Sequence, residues 1–132
     1  MLYQNILLID DDIDDVEILT EAIEFILEKK VCYAATKHAK VIEALQNSQI
    51  IPDLIFMDLN MPGVNHRELL EQIKSSELMQ QVPVVLYSSH TEEIMKELAK
   101  PFEIAHYVTK PTSYQDLLTL LSEIFCIKNP KI

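Results

Sequence analysis

The stretch NILLIDDDIDDVEILTEAIEFIL, residues 5–27, decides the fold, because it joins two different apolar patterns across a cluster of five aspartates. Its first part, NILLI (5–9), is short and apolar after its first residue, which suits a strand with both faces covered. Its last part carries Val16, Leu19 and Ile23 at the spacing of a helix with one apolar face. The stretch therefore predicts a strand, a turn dense in negative charge and a helix.

The same strand-and-helix unit recurs along the chain. Amphipathic stretches follow, including one around Val41 and Leu45 and a last one that opens with the capping-box pattern SYQD (113–116). Strands that alternate with helices predict a parallel sheet covered on both faces, and right-handed connections leave few topologies. We predict a flavodoxin-like, doubly wound (βα)5 fold whose five-stranded sheet has the order 2-1-3-4-5. The other strand-like runs are VCYAAT (31–36), DLIFM (53–57), PVVLYS (83–88) and AHYVT (105–109).

Length and composition limit the possible functions. The 132 residues suit one domain, and we expect a single domain over residues 1–132 without an output domain. No apolar run approaches the roughly 20 residues of a membrane span, and the N-terminus lacks a signal-peptide pattern, so we expect a cytoplasmic protein. The formal charge of −10 disfavours contact with nucleic acid or anionic membranes. Gly63 is the single glycine of the sequence, which excludes a glycine-rich phosphate loop.

Polar residues gather at the ends of the predicted strands. In an open parallel sheet the carboxyl ends of the strands share one edge, where functional groups collect. Clustered carboxylates repel one another and favour a divalent cation such as Mg²⁺. One carboxylate could then attack phosphorus, with the metal and a lysine neutralising the phosphoryl oxygens. The strand-end residues are Asp10, Asp11, Asp58, Ser88, Ser89, Thr109 and Lys110.

A calcium loop is the competing interpretation of the aspartate cluster. Asp10, Asp12 and Asp14 follow a D-x-D-x-D pattern, and Glu21 falls at its twelfth position. An EF-hand loop needs glycine at the sixth position, where this chain has Asp15, and it needs a preceding helix, where this chain has a predicted strand. The sequence therefore favours the magnesium interpretation.

Four dispersed segments, taken together, resemble the receiver domain of two-component response regulators. They occur in the family's order and cover essentially the whole chain, as in the stand-alone, chemotaxis-type members. The segments are LLIDDD (7–12), PDLIFMDLNMPG (52–63), VPVVLYSS (82–89) and YVTKP (107–111).

The resemblance implies which residues accept the phosphoryl group and hold the metal. Asp58 matches the phosphorylated aspartate. Mg²⁺, or Mn²⁺ in its place, would be held by the carboxylates of Asp10, Asp11 and Asp58 and by the main-chain carbonyl of Asn60. The side chains of Asn60 and His90 match positions at which the family tunes the attack of water on the acyl phosphate.

The resemblance also implies which residues respond to phosphorylation. Ser88 matches the switch hydroxyl that turns toward the phosphoryl group, and the backbone N–H of Ser89 would help to hold that group. Lys110 matches the lysine that binds a phosphoryl oxygen, and it precedes Pro111, which family members commonly join by a cis bond. Tyr107 matches the aromatic residue that swings inward on activation.

We therefore predict a single-domain response regulator that accepts a phosphoryl group from a sensor histidine kinase or a histidine phosphotransfer protein. It would catalyse its own phosphorylation and dephosphorylation without being a turnover enzyme, and it would act as a protein-interaction switch. Its downstream target would meet the face of the fourth helix, fifth strand and fifth helix, which includes residues 92–100 and 106–107. We expect a monomer or weak dimer with no nucleic-acid or membrane partner.

Two other interpretations remain open. A haloacid-dehalogenase-like phosphatase also uses an aspartate nucleophile and Mg²⁺, in a D-x-D element that Asp10 and Asp12 match in outline. The second is a receiver-like binding module that is never phosphorylated.

The chain departs from the family pattern at one loop. Asn65 and His66 stand where an aspartate and a glycine are usual after the MPG turn, and glycine permits backbone angles that strain other residues. The acids behind the predicted metal ligands are expected to favour the start of the first helix through its dipole. These acids are Asp12, Asp14, Asp15 and Glu17.

Overall fold

A computed structural model describes residues 3–37, 40, 41, 43, 46 and 51–126. Each strand lies within the apolar run that predicts it. The strands are β1 (Ile6–Ile9), β2 (Cys32–Ala35), β3 (Leu54–Met57), β4 (Val84–Ser88) and β5 (His106–Thr109). The helices with defined ends are α1 (Ile13–Leu27), α2 (His66–Ser75), α3 (Glu92–Ala99) and α4 (Tyr114–Ile124).

The helix predicted between β2 and β3 falls partly on described residues. Lys40, Val41, Glu43 and Gln46 are helical, and Val41 is fully buried. Leu45 lies outside the described residues. With this segment counted as the second helix, α3 and α4 are the fourth and fifth helices of the prediction.

The strands form one parallel sheet in the order β2-β1-β3-β4-β5, which confirms the predicted flavodoxin-like topology. Ile9 at the end of β1 lies in register with Ala35 on one side and Met57 on the other. Backbone bonding continues past the strand ends, since the N–H of Asp10 donates to the Ala35 carbonyl at 3.3 Å and that of Asp58 donates to the Ile9 carbonyl at 2.9 Å. The residue that follows each of these strands is thereby fixed at one edge of the sheet.

Two apolar layers bury the sheet between helices on its two faces. Successive residues of β1 point to opposite layers: Leu7 and Ile9 pack with α2 and α3, while Ile6 and Leu8 pack with α1 and α4. β1, β3 and β4 are buried along their length, but the edge strands β2 and β5 carry exposed residues. The prediction of strands buried on both faces is therefore right for the centre and wrong for the edges. None of the helices in the described part of the chain is long and apolar enough to cross a membrane.

The aspartates behind Asp11 begin α1, as predicted. Asp12 is the N-cap residue, and its carboxylate accepts a hydrogen bond from the N–H of Asp15 at 3.2 Å. Asp14 and Asp15 lie in the first turn, where negative charge favours the helix dipole. With β1 before this turn, the segment lacks the helix-loop-helix arrangement of an EF-hand.

The loop between β3 and α2 accommodates Asn65 and His66 without left-handed backbone. Asn65 has φ −90° and caps α2, because its side-chain oxygen accepts hydrogen bonds from the N–H groups of Arg67 at 3.0 Å and Glu68 at 3.2 Å. The residue of this loop with positive φ is Gly63, at 78°. The strain considered from the sequence is therefore not found at these two positions.

The peptide bond between Lys110 and Pro111 is trans, so the cis bond that the resemblance implies is wrong for this chain. Trans is the ordinary preference of an X–Pro bond, by about 0.5–1 kcal/mol, and Lys110 reaches its side-chain partners with the bond in that form. Among the described residues, the cis bond joins Lys100 and Pro101.

Candidate functional site

Three carboxylates form a compact cluster at the carboxyl edge of the sheet. Asp10, Asp11 and Asp58 each place an oxygen within 4.8 Å of the others. Asp10 and Asp58 are buried and Asp11 is exposed, so one side of the cluster opens to solvent. This donor set fits Mg²⁺, which prefers hard oxygen ligands, takes one or two carboxylates and keeps several waters.

Lys110 places an ammonium group against this cluster. Its backbone N–H donates to the Ser88 carbonyl at 2.8 Å, which continues the pairing of β5 with β4. Its Nζ donates to Asp58 Oδ2 at 2.9 Å, to Asp10 Oδ2 at 3.1 Å and to Asp15 Oδ2 at 2.7 Å. An ammonium has three donors, so each N–H of Lys110 has a carboxylate acceptor.

Burial and charge shift the pKa values of this site in opposite directions. Burial raises the pKa of Asp10 to about 6, although a hydrogen bond from the Asp12 N–H acts to lower it, and the charge of Asp58 raises it. Burial acts to lower the pKa of Lys110, but hydrogen bonds to Asp15 and Asp58 outweigh burial and the pKa is raised overall. Lys110 is therefore a cation at neutral pH, whereas the raised pKa of Asp10 lies just below neutral pH.

The carboxylate of Asp58 is held at both oxygens. Oδ1 accepts a hydrogen bond from the N–H of Asn60 at 2.9 Å, and Oδ2 accepts the one from Lys110. The side chain is 5% exposed. A carboxylate fixed in this way meets an incoming phosphorus atom with little loss of orientational freedom.

The end of β4 and the loop after it bring the predicted Ser88, Ser89 and His90 to the same edge. Ser88 is fully buried, and its Oγ accepts a hydrogen bond from the N–H of His90 at 3.3 Å. Asn60, in the loop after β3, contacts this second loop: its Nδ2 donates to Ser89 Oγ at 3.2 Å and its Oδ1 lies 3.1 Å from His90 Nε2. Thr109 Oγ1 donates to the His90 carbonyl at 2.8 Å, which ties the loop to β5.

Tyr107 lies on β5, beside Leu86 of β4. Its ring is half-buried against the apolar layer that α2 and α3 cover. The ammonium of Lys96, on α3, lies 5.7 Å from the ring centroid. The predicted switch tyrosine thus sits between the core and the surface of the α3–β5 region.

Asp15 is the site residue that the sequence prediction missed. The sequence indicates only a role for Asp15 at the start of the helix, but its side chain accepts a hydrogen bond from Lys110 Nζ at 2.7 Å. Its spacing from Asp11 gives no signal for this contact, because Asp11 precedes the N-cap of α1 and is not on a helix face.

The structure also bears on the phosphatase alternative. That interpretation needs Asp10 and Asp12 as a catalytic pair, but Asp12 caps α1. Asp58, and not Asp12, completes the carboxylate cluster with Asp10 and Asp11.

A parallel (βα)5 sheet with acids and a lysine at its carboxyl edge is the arrangement that the resemblance implies. The sequence model of the response regulator receiver domain matches residues 6–122, and the chain belongs to that family. The prediction of a receiver-type response regulator is thereby confirmed, and the alternatives are not favoured.

Individual relatives agree with this assignment. The probable methanogenesis regulatory protein FilR2 of Methanothrix harundinacea is 34% identical over 74 residues, which are 56% of this chain and 48% of the relative. The matching part of this chain thus covers less than half the length of that curated relative. The phosphorylated cyanobacterial phytochrome response regulator RcpA superposes with a TM-score of 0.80 at 22% identity, over 99% of this chain and 100% of that one. The Mn²⁺-bound form of the response regulator Rcp1 gives a TM-score of 0.77 at 23% identity, over 94% and 93% of the two chains.

Membership of the family has general consequences. Receiver domains are phosphorylated by histidine kinases in two-component signalling, and they are not enzymes in the usual sense of turning over an external substrate. A related receiver structure carries Mn²⁺, and this chain has the acidic cluster that could hold such a cation.

Proposed function

We propose that this protein is a response regulator whose receiver domain is phosphorylated on Asp58 and acts as a phosphorylation-controlled interaction switch. One observation carries the proposal: the buried Asp58 carboxylate lies 2.9 Å from the Lys110 ammonium and inside a cluster with Asp10 and Asp11. This arrangement offers a fixed nucleophile, a cation and a metal-binding group of carboxylates in one place.

The metal site is assigned to the carboxylates of Asp10, Asp11 and Asp58 and the main-chain carbonyl of Asn60. Mg²⁺ is the proposed ion, with Mn²⁺ as a substitute. When bound, it would neutralise charge on the phosphoryl oxygens and on the acids around them. Without it, the acids depend on Lys110 for neutralisation.

In the proposed reaction a carboxylate oxygen of Asp58 attacks phosphorus and forms a new P–O bond. The bond from phosphorus to its donor breaks at the same centre, and the electron pair leaves with the donor, which is acetate from acetyl phosphate or the imidazole of a phosphohistidine. Lys110 and the N–H of Ser89 hold phosphoryl oxygens. The protein thus catalyses its own phosphorylation and, by water attack, its own slow dephosphorylation.

The phosphorylation signal is proposed to pass through Ser88 and Tyr107. Ser88 Oγ would turn toward the phosphoryl group, which changes the space available to the half-buried Tyr107 ring and reshapes the face of α3, β5 and α4. The Ser88 side chain already contacts the segment that leads into α3, because its Oγ accepts a hydrogen bond from the His90 N–H. His90 is followed by Thr91, the N-cap residue of α3. The downstream protein would meet this face.

The remaining assignments follow from the same proposal. The phosphodonor would be a sensor histidine kinase or a histidine phosphotransfer protein. The protein would work in the cytoplasm as a monomer or weak dimer, and this domain would contact a protein partner instead of nucleic acid or membrane.

Mass spectrometry tests the proposal directly. Intact protein and its peptides would be measured after incubation with acetyl phosphate, with Mg²⁺ and with chelator. We expect a Mg²⁺-dependent phosphoryl adduct on Asp58 that Asp58→Asn lacks and that the control Asp12→Asn keeps, since asparagine is also a good N-cap. If folded wild-type protein forms no adduct while a positive control does, the chain is a phosphorylation-independent binding module.

A second measurement tests the switch. Hydrogen–deuterium exchange of the phosphorylated protein should change in α3, β5 and α4 relative to the unphosphorylated protein. Exchange that changes only around the strand ends would contradict the proposed output face.

A further inference from the structure

Lys110 is held by an acid that takes no part in the proposed metal site. Its shortest carboxylate contact, 2.7 Å, is with Asp15, compared with 2.9 Å for Asp58 and 3.1 Å for Asp10. Asp15 is not in the cluster that Asp10, Asp11 and Asp58 form. The geometry points to Asp15 as a positioning residue that holds the Lys110 ammonium over Asp58, an inference that rests on the proposed function.

The acceptors of Lys110 change when the site is used. Phosphorylation converts the Asp58 carboxylate to an acyl phosphate, so one of its oxygens is no longer a free acceptor, and Asp10 is assigned to the cation. Asp15 is then the carboxylate that remains free to keep its hydrogen bond with Lys110. One N–H can stay on Asp15 while the others turn to phosphoryl oxygens, because an ammonium has three donors.

The position of Asp15 suits this role. It lies in the first turn of α1, a 15-residue helix whose N-terminal end is capped by Asp12. Lys110 follows β5 in a connection to α4, so Asp15 ties that connection to a regular element. The Lys110 ammonium also lies 5.4 Å from the centroid of the Tyr87 ring. Support from a helix and a buried ring fixes the ammonium more closely than the connection alone would.

Asp14 provides a matched control. It is the same residue type in the same helical turn, and it is exposed. Asp14→Ala removes the same charge from the neighbourhood of the site and from the start of α1. It leaves the contact between Asp15 and Lys110 in place.

The experiment is a double-mutant cycle on the rate of phosphorylation by acetyl phosphate and Mg²⁺. We expect Asp15→Ala to slow phosphorylation by about tenfold, as for a misplaced catalytic group, and Asp15→Asn, which keeps an acceptor oxygen, to recover most of the rate. Asp15→Ala should have no further effect in a Lys110→Ala background, because Asp15 acts through Lys110. Asp14→Ala should stay within about twofold of wild type, since an exposed charge has a small effect.

Three results would overturn the role of Asp15. These are an Asp15→Ala rate equal to or above the wild-type rate, an equal loss in Asp14→Ala, or an additive loss in the Lys110→Ala background. The folding of each variant would be checked by its unfolding transition in the same buffer.

A measurement that needs no phosphoryl transfer separates this inference from the proposed function. In the unphosphorylated protein, the Lys110 side-chain ammonium should give a ¹⁵N–¹H signal protected from exchange in wild type and in Asp14→Ala, and lose that protection in Asp15→Ala. If the three proteins show this pattern of protection but wild type forms no phosphoryl adduct, the phosphorylation proposal fails and the positioning of Lys110 by Asp15 stands. If the signal is indifferent to Asp15, the positioning inference fails on its own.

Discussion

His90 Nε2 lies 3.1 Å from the side-chain oxygen of Asn60, although the two residues are 30 positions apart in the chain. The same Asn60 side chain donates to Ser89 Oγ from its other end. Both polar groups of the Asn60 amide therefore have partners, and Ser89, Asn60 and His90 form one row of contacts. This row lies beside Asp58, because the Asn60 backbone N–H donates a hydrogen bond to the Asp58 carboxylate. These side chains have their polar groups directed at one another, so we expect them to restrict the approach of water.

Removing the contact between His90 and Asn60 should shorten the lifetime of the acyl phosphate. We expect His90→Ala to speed hydrolysis by about threefold to tenfold, a modest effect for a change in access and proton transfer at one side chain. Decay of the adduct mass after removal of acetyl phosphate measures the rate. His106→Ala, at an exposed histidine of β5, is the control and should leave the decay unchanged. A phosphoryl lifetime that is equal or longer in His90→Ala would show that the pair does not restrict water.

Mg²⁺ should stabilise the folded protein through the carboxylate cluster. A ligand that binds only the folded state adds about 2.7 kcal/mol to the free energy of unfolding at 100 times its Kd. Thermal unfolding with increasing Mg²⁺ should therefore shift to higher temperature in wild type and in Asp12→Asn. It should be insensitive to Mg²⁺ in Asp11→Asn and Asp58→Asn, and a shift retained in both of these would place the ion elsewhere.

The buried Asp10 should make stability depend on pH in the metal-free protein. Its folded-state pKa, about 6, lies above the ordinary value of 3.8, so the folded state binds the proton more tightly than the unfolded state. Ionised Asp10 therefore lowers the free energy of unfolding above pH 6, and this loss disappears as the pH falls toward 4. Urea unfolding in chelator should show Asp10→Asn more stable than wild type at pH 7.5, with a smaller difference at pH 4.5. A difference that is the same at both pH values would contradict the raised pKa.

The cap of α2 should contribute to stability but not to phosphoryl chemistry. Asn65→Ala removes the acceptor for two N–H groups at the start of the helix, and we expect it to lower the free energy of unfolding by about 1 kcal/mol. Asn65→Asp keeps a side-chain acceptor and should be close to wild type. Urea unfolding measures the first effect, and the acetyl phosphate rate should be the same in all three proteins. If Asn65→Ala slowed phosphorylation more than its stability change explains, this loop would have a part in the site.

The sequence predicts the fold well because its signals are local. The run at residues 6–9 is apolar throughout, and Ser113 and Asp116 form the expected N-terminal hydrogen bond of α4. Burial at the sheet edges could not be predicted in the same way. Ala34 of β2 resembles a central-strand residue in type, but it is exposed because its strand has a neighbouring strand on one side only.

The site was predicted where its residues follow strands and missed where it depends on packing. Asp58 and Lys110 follow strands, and the direction of the sheet brings them together. Asp15 lies on a helix, and its contact with Lys110 depends on where α1 settles against the sheet, which no local pattern encodes. The contact between His90 and Asn60 likewise joins side chains from two separate loops.

The hydrogen bonds that join Asp10 to Ala35 and Asp58 to Ile9 extend the pairing of β1 with β2 and with β3 by one residue. Asp58, the proposed nucleophile, and Asp10, a proposed metal ligand, therefore have no flexible segment between them and the core. Once the sheet has formed, the backbones of Asp10 and Asp58 are already ordered. Binding of a phosphodonor therefore carries no entropic cost for ordering these two residues. Sequence changes in the loops and outer helix faces can then alter which partners this protein meets while the reacting groups keep their spacing.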